Sequence, residues 1–571
     1  MMSLPEPEDI HHPKITISGL GTVRGVLDSV HPVAKFLNIP FGVLTERWRP
    51  ADKVRPWQGV RDGTKNGFHP PQPTKIWSLM SLVFGIEPEV MYEETMSEQD
   101  CLSLNIFTPA SALDSREELP VLVWIYGGGF KIGSITAPLH DCTELVAASV
   151  ELKKPMIVVA INYRLNYFGY MSSKELALDV QNYAQNVPED QRRWYDASVG
   201  NWGFLDQILG LEWIRDHIQT FGGDPGRVTI MGESAGGASI SYLQLIPECR
   251  GLFYRAIMLS GTASCSPTMR PEYEGQRYFD HICRVFNIPA EAPPLDKVAR
   301  LRAIPEKKLA EELNTLEVML FGPTLDGVLF KKDSRLTIGD ASLYDPHFNW
   351  VAVGTCADEA SMFSSTSNAT PETIAKLKGR LCAPGDDEVF DRIFGVPKTD
   401  ADAIKIYDHL FNNGFFKYPT LQASEAILAH PTCRLTRYHF DVQVQQTNEL
   451  YPDLKAHHGA DLYFIFGNKT ALSMLSEDER LFVRKVQEVW IEFVTTKTPE
   501  GSHLPKVSNA LPASTSEEAM VFGADLKVGR GVVERMTAEE VEFWRRSFAY
   551  AAQQAQLGRG VDVGFDIFKA L

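Results

Sequence analysis

The sequence predicts an α/β architecture: a large, mostly parallel central sheet flanked by helices, with helical insertions capping it. Three observations predict it. Short β-branched runs punctuate the first half of the chain, and they are apolar throughout instead of alternating. Continuous runs of that length suit strands buried on both faces, as in parallel sheets. Helical stretches alternate with them over hundreds of residues, the pattern of an α/β sheet. The chain is also long enough for a large core, with 571 residues of which 44% are apolar and 23% charged.

In chain order, the strand candidates are Val121–Tyr126, Met156–Asn162, Val228–Met231 and Ala256–Leu259, followed by Trp350–Gly354, Leu435–Val442 and Leu462–Phe466. Between them, Leu205–Phe221 reads as a helix with Leu209, Trp213 and Ile214 on one face. Residues 370–430 are helical in pattern and are expected to cap the sheet. Residues 76–91 form an apolar stretch with loop-like flanks. It reads either as a buried helix or as a lid over a hydrophobic substrate. Thr537-Ala538-Glu539-Glu540 is a capping box before a helix running to about Gln556, and 558–571 reads as a tail. No repeat or low-complexity linker divides the chain, so 1–571 is expected to form one domain.

The 56 Lys and Arg against 73 Asp and Glu give a formal charge of −17 with no basic stripe. Nucleic-acid binding needs clustered positive charge to displace counterions, so it is disfavoured. An acidic surface also disfavours stable association with anionic membranes. The first residues carry acids and prolines and no apolar secretory region, and no apolar run approaches a membrane span. The eight cysteines show neither CxxC nor metal-ligand spacing and read as buried, reduced thiols. A cytoplasmic protein is expected. On that reading the sequons at Asn368 and Asn468 are chance matches.

Gly232-Glu233-Ser234-Ala235-Gly236 fits G-x-S-x-G. The pattern is weak alone, but an apolar strand precedes it and a helical stretch follows. That is the strand–sharp turn–helix context of a nucleophile elbow. The helix start behind Ser234 would point free N–H groups at a developing anion. Upstream, the strand through Tyr126 runs into Gly127-Gly128-Gly129-Phe130. Three glycines there let backbone N–H groups approach a carbonyl, so Gly128, Gly129 and Ala235 are the expected oxyanion-hole donors.

With these motifs the chain resembles the type-B carboxylesterase/cholinesterase family of α/β-hydrolases, in the manner of fungal intracellular members. The resemblance spans nearly the whole chain. It includes Gly21-Thr22-Val23-Arg24-Gly25, Arg47-Trp48-Arg49-Pro50, Ser97-Glu98-Gln99-Asp100-Cys101-Leu102, Asn201-Trp202-Gly203-Phe204-Leu205-Asp206-Gln207 and Phe221-Gly222-Gly223-Asp224-Pro225. It implies an α/β-hydrolase fold and a triad of Ser234, Glu359 and His458. Asp358 is a local rival for the acid and His457 for the base. The matching also places Glu233, Tyr92, Met319, Phe321, Met362 and Phe363 at the substrate pocket. The disulfides of secreted relatives lack partners here, Pro70 standing where one cysteine is expected. The choline-binding tryptophan is likewise replaced, by the Val90-Met91-Tyr92 stretch, which disfavours a choline esterase.

The resemblance implies a serine carboxylic-ester hydrolase for uncharged, moderately apolar esters or lactones, needing no metal or organic cofactor. Other uses of the same triad are transacylation, amide hydrolysis and elimination. A non-catalytic partner-binding protein on the same fold is the remote alternative. Activity is expected to rise with pH through a base near neutrality.

Overall fold

The computed structural model describes residues 11–73, 96–187, 199–265, 269–314, 321–340, 342–364, 369–450, 454–505, 516–534 and 536–557. The expected lid 76–91, the tail 558–571, and pocket residues Tyr92 and Met319 lie outside the described residues.

Apolar runs become the strands of one 11-stranded sheet. In chain order these are β1 (Val26–Leu27), β2 (Val33–Pro40), β3 (Ser103–Pro109), β4 (Leu119–Ile125), β5 (Ile157–Ile161), β6 (Gly223–Glu233), β7 (Arg255–Leu259), β8 (Trp350–Cys356), β9 (Arg434–Phe440), β10 (Ser516–Phe522) and β11 (Val528–Glu534). Their spatial order is β11-β10-β9-β8-β7-β6-β4-β5-β3-β2-β1. The seven strands from β5 to β10 run parallel, and antiparallel strands close both edges. Every residue of β4, β5, β7 and β8 is buried, which explains their unbroken apolar character.

Helices cover the sheet: α1 (Thr143–Glu151), α2 (Trp202–His217), α3 (Ala235–Gln244), α4 (Pro371–Leu381), α5 (Asp387–Phe394), α6 (Asp400–Leu410), α7 (Tyr418–Ala429), α8 (Asp461–Phe466), α9 (Glu477–Thr495) and α10 (Ala538–Gln556). The predicted single-faced helix at 205–221 is α2 followed by a 3-10 turn. It is buried around most of its circumference, and Leu209 is less buried than its neighbours. The α4–α7 region builds a second hydrophobic cluster with Phe543, Trp544 and Phe548 of α10, apart from the core around the sheet. Between α6 and α7 the backbone widens into a π-helix, Phe411–Lys417.

Two local expectations are corrected. Leu462–Phe466 is not a strand; it lies in the buried helix α8, which Gly467 ends at φ 56°. A short apolar run buried on all sides carries no period to separate the two states. The capping box at Thr537 is half formed. Thr537 accepts from the Glu540 amide, but the Glu540 carboxylate turns inward to His409, Asn413 and Trp544.

Several family-like motifs serve the scaffold. Arg47 donates to Glu98 at 2.8 Å, and also to the Leu301 and Ile304 carbonyls. Arg164, just after β5, makes a two-pronged pair with Asp206 of α2, at 2.7 Å on each prong and with no exposure on either side chain. Such fork-shaped pairing satisfies charges that burial would otherwise penalise heavily. Asn201 exchanges two 2.9 Å hydrogen bonds with the Thr324 backbone. Asn468, the second sequon residue, is buried. Its amide donates to the Pro138 and Leu139 carbonyls and its oxygen caps Ala471 N. All eight cysteines are free thiols, Cys101 included, and seven are buried. No helix among the described residues is long and apolar enough to cross a membrane.

Candidate active site

Strand register brings the site together. Gly232 of β6 pairs with Ile125 of β4, and Glu233 pairs with Leu259 of β7. The glycine loop after β4 and the turn after β6 therefore leave the sheet at the same carboxyl edge, where ligands bind in parallel sheets. Glu359 lies three residues beyond the end of β8. His458 lies in the connection after β9, just ahead of α8.

Ser234 sits at φ 54°, ψ −122°, between β6 and α3. A side chain rarely tolerates this conformation, and such strain marks functional turns. Packing holds it there. A Cβ on Gly236 would lie 2.0 Å from the Ile125 carbonyl oxygen, so only glycine lets α3 approach β4. The Ser234 amide donates to the Leu259 carbonyl at 2.8 Å.

Gly128 and Gly129 adopt φ 106° and 62°. Carbonyls of the glycine loop are engaged: Gly129 accepts from Phe321 N at 2.8 Å, and Gly128 accepts from Lys131 and Ile132. Among the described residues no hydrogen bond takes the N–H of Gly128, Gly129 or Ala235. Ala235 opens α3, where the first N–H groups have no partner within the helix.

His458 Nδ1 lies 2.5 Å from Glu359 Oε2, and Glu359 Oε1 accepts from the Cys356 amide at 2.7 Å. Glu359 is fully buried and His458 nearly so. The rivals are occupied elsewhere. Asp358 pairs with Lys455 at 3.1 Å and accepts from Ser361 N and Asn412. The His457 ring lies 2.9 Å from the His458 carbonyl, and burial pulls its pKa down to about 4.

The other imidazole nitrogen, Nε2, meets Glu233 Oε1 at 3.0 Å. No hydrogen bond joins it to Ser234 Oγ among the described residues. The structure thus brings Glu359, His458 and Glu233 together, with Ser234 next in sequence to Glu233 but not in hydrogen-bond contact with the ring. Burial disfavours the imidazolium, yet the Glu233 and Glu359 carboxylates outweigh it and raise His458 to about 9. Burial raises Glu233 to about 7, against the opposing pull of His458. The neutral-range base expected from the sequence is thus shifted upward by its carboxylate neighbours.

Asp461 was not singled out in the sequence. It opens α8 and is 2% exposed, and neither carboxylate oxygen has a hydrogen-bond partner among the described residues. Burial, together with the charges of Glu233 and Glu359, raises it to about 8. Near neutrality it is a neutral acid beside the imidazole. Only the spacing His458-x-x-Asp461 could have pointed to it.

Aromatic rings wall the imidazole. Phe363 lies 5.4 Å and Phe416 4.8 Å from His458, centroid to centroid, and Phe416 comes from the π-helix. Phe416 was missed in the sequence, because the extra residue that turns it inward leaves no local signature. Phe321 is buried against Tyr167 and Tyr278 and tied to the glycine loop. Met362 is half-buried against the main core. No group of three or more His, Cys, Asp or Glu with metal-site geometry exists among the described residues.

An α/β sheet with a serine turn, a glycine loop and a buried His–Glu pair at its carboxyl edge defines a hydrolase-type site. The carboxylesterase family model matches residues 11–544, and the chain belongs to that family. It is 30% identical to carboxylesterase 5A of Canis lupus familiaris over 92% of this chain and 88% of that one. It is 29% identical to para-nitrobenzyl esterase of Bacillus subtilis (strain 168), over 85% and 90%. A solved structure of a thermophilic PNB esterase superposes with a TM-score of 0.71 at 26% identity, covering 93% of this chain and all of that one. The chain is an ester-hydrolysing enzyme with the α/β-hydrolase fold.

Proposed function

We propose that the enzyme cleaves uncharged, moderately apolar carboxylic esters or lactones through an acyl-enzyme on Ser234. The observation that carries this reading is the 2.5 Å contact between buried His458 Nδ1 and Glu359 Oε2, beside a serine held at positive φ. Glu359 fixes the imidazole so that Nε2 faces the reaction. On substrate entry Nε2 shifts from Glu233 to the Ser234 hydroxyl, since catalytic hydrogen bonds often tighten only with substrate bound. His458 takes the serine proton as Oγ attacks the carbonyl carbon, then gives it to the leaving alkoxide. Water repeats the sequence and releases the acid. The N–H groups of Gly128, Gly129 and Ala235 receive the oxyanion, each worth about 3 kcal/mol to the transition state. Phe321, Phe363 and Phe416 supply the apolar wall, and no metal or organic cofactor enters the scheme.

We place the protein in the cytoplasm. Support comes from the eight unpaired cysteines. The acidic balance of the chain supports the absence of a nucleic-acid partner. We read the chain as one catalytic unit.

The test is p-nitrophenyl butyrate hydrolysis by wild type and Ser234→Ala, with mass spectrometry after organophosphate treatment. Turnover falling by about 10⁴-fold or more in the variant, with one phosphoryl adduct on Ser234, is the expected result. Turnover retained in the variant, or an adduct elsewhere, overturns the assignment.

A further inference from the structure

Glu359 lies beyond Cys356, the last residue of β8, so strand pairing no longer fixes its backbone. Neighbouring loops and side chains do so instead. The Ala357 amide donates to the Phe440 carbonyl at the end of β9, at 2.8 Å. The two residues that flank Glu359 are both held. The Asp358 amide donates to the Ala456 carbonyl at 3.1 Å, and the Ala360 amide donates to Asn412 Oδ1 at 3.0 Å. Ala456 lies two residues before His458, so the first of these bonds joins the loop of the acid to the loop of the base.

The Asp358 side chain extends that link. Its Oδ2 meets Lys455 Nζ at 3.1 Å, again in the base loop. Its Oδ1 accepts from the Ser361 amide at 3.2 Å and from Asn412 Nδ2 at 3.3 Å. Asn412 thus spans Glu359, accepting from the residue after it and donating to the residue before it. A side-chain amide offers a donor and an acceptor on one planar group, and these partners fix which end is which. A carboxylate or an apolar group at 412 loses at least one of the two bonds. Asn412 belongs to the π-helix, which is itself anchored on α10. Asn413 donates to Glu540 at 2.8 Å, and Gly414 packs so closely that a Cβ would come within 2.3 Å of the Trp544 indole.

We propose that Asn412 and Asp358 are positioning residues for the catalytic acid, an assignment that rests on the reading of Glu359 and His458 as the acid and base behind Ser234. They act through the backbone on either side of Glu359 and not on the reacting atoms. Catalytic groups must be held within about 0.5 Å of the productive geometry, and a shift of about 1 Å can cost about 10²-fold in rate.

The experiment compares wild type with Asn412→Leu, which is near-isosteric and removes both bonds. Turnover of p-nitrophenyl butyrate is measured per active site, with sites counted by organophosphate labelling. kcat should fall about tenfold with KM little changed. The rising limb of kcat/KM against pH should also move to lower pH. The imidazole faces Glu359, Glu233, Asp461 and His457. Of these Asn412 holds Glu359, and loosening it removes part of the charge that favours the imidazolium. Selectivity across p-nitrophenyl ester chain lengths, which reads the Phe416 wall, should stay that of wild type. Asp358→Asn keeps one acceptor oxygen and loses the Lys455 ion pair. It should move kcat and the limb the same way, kcat by about threefold, and it carries the test if Asn412→Leu does not fold. Per-site kcat equal to wild type in both variants, with only Tm lowered, overturns the proposal. So does a fall in kcat with the limb unmoved, or with altered chain-length selectivity. Glu359→Gln is the reference. Full kcat in that variant would sink the acid assignment itself, whereas loss of kcat there beside normal Asn412 and Asp358 variants overturns the positioning role alone.

Discussion

At the residue scale, the controlling feature is one imidazole among three carboxyl groups. His458 touches Glu359 through one nitrogen and Glu233 through the other, and Asp461 lies buried close by. Both charged neighbours favour the imidazolium, so the base form emerges only as pH rises past the ordinary histidine range. The rising limb of kcat/KM against pH should thus lie above about 6.5, the value for free imidazole. Removing one anion in Glu233→Gln should move that limb to lower pH; a limb that stays in place would show that Glu233 does not set the protonation of His458. The titration belongs to the coupled group and not to a single residue. Asp461 yields a stability prediction. Its folded pKa, about 8, lies above the ordinary 3.8. The unfolded chain releases this proton first, so the residue costs stability progressively as pH rises between those values. Asp461→Asn should therefore raise Tm, and by more at about pH 8 than at about pH 4. Equal shifts at both would count against a neutral buried acid.

At the element scale, the glycine loop and the π-helix both shape the site. Gly128 sits at φ 106°, and a Cβ there would lie 2.3 Å from the Ile132 carbonyl oxygen. Gly128→Ala should tilt the loop N–H groups away from the oxyanion and lower kcat by about 10²-fold, with KM little changed. A change confined to KM would instead place the loop in ground-state binding. Phe416→Ala should open the wall beside His458 and relax acyl selectivity, which rates across a series of p-nitrophenyl ester chain lengths would reveal.

These elements also show what a linear sequence carries. The serine turn was legible because sterics tie its glycines to fixed places; Glu359 and His458 were expected only through the family resemblance, because the residues alone leave Asp358 and His457 open beside them. The helix α8 was not legible: five consecutive apolar residues fit either state, and only burial on all sides, with Gly467 as a stop, decides it. Asp461 and Phe416 were missed for a related reason. Their importance comes from neighbours about forty or more residues away, or hundreds: Glu233 for the one, His458 for the other.

At the scale of the whole molecule, stability rests on packing and buried ion pairs and not on cross-links. Two hydrophobic clusters pack the interior, the Arg164–Asp206 pair joins α2 to the end of β5, and Arg47 joins Glu98 to the carbonyls of Leu301 and Ile304. With eight free thiols, the unfolding midpoint should be the same with and without dithiothreitol. A fall of several degrees in reductant would reveal a disulfide.

Asn468 carries a different kind of consequence. The amide nitrogen that a glycosyltransferase would modify is the one that clasps the Pro138 and Leu139 carbonyls. Sugar attachment and native folding compete for one atom. If the chain is forced through a glycosylating secretory route, modification before folding should trap it as inactive, retained material. Thr470→Val deletes the acceptor signal while leaving the Asn468 clasp intact, and it should restore secretion of active enzyme from that same route.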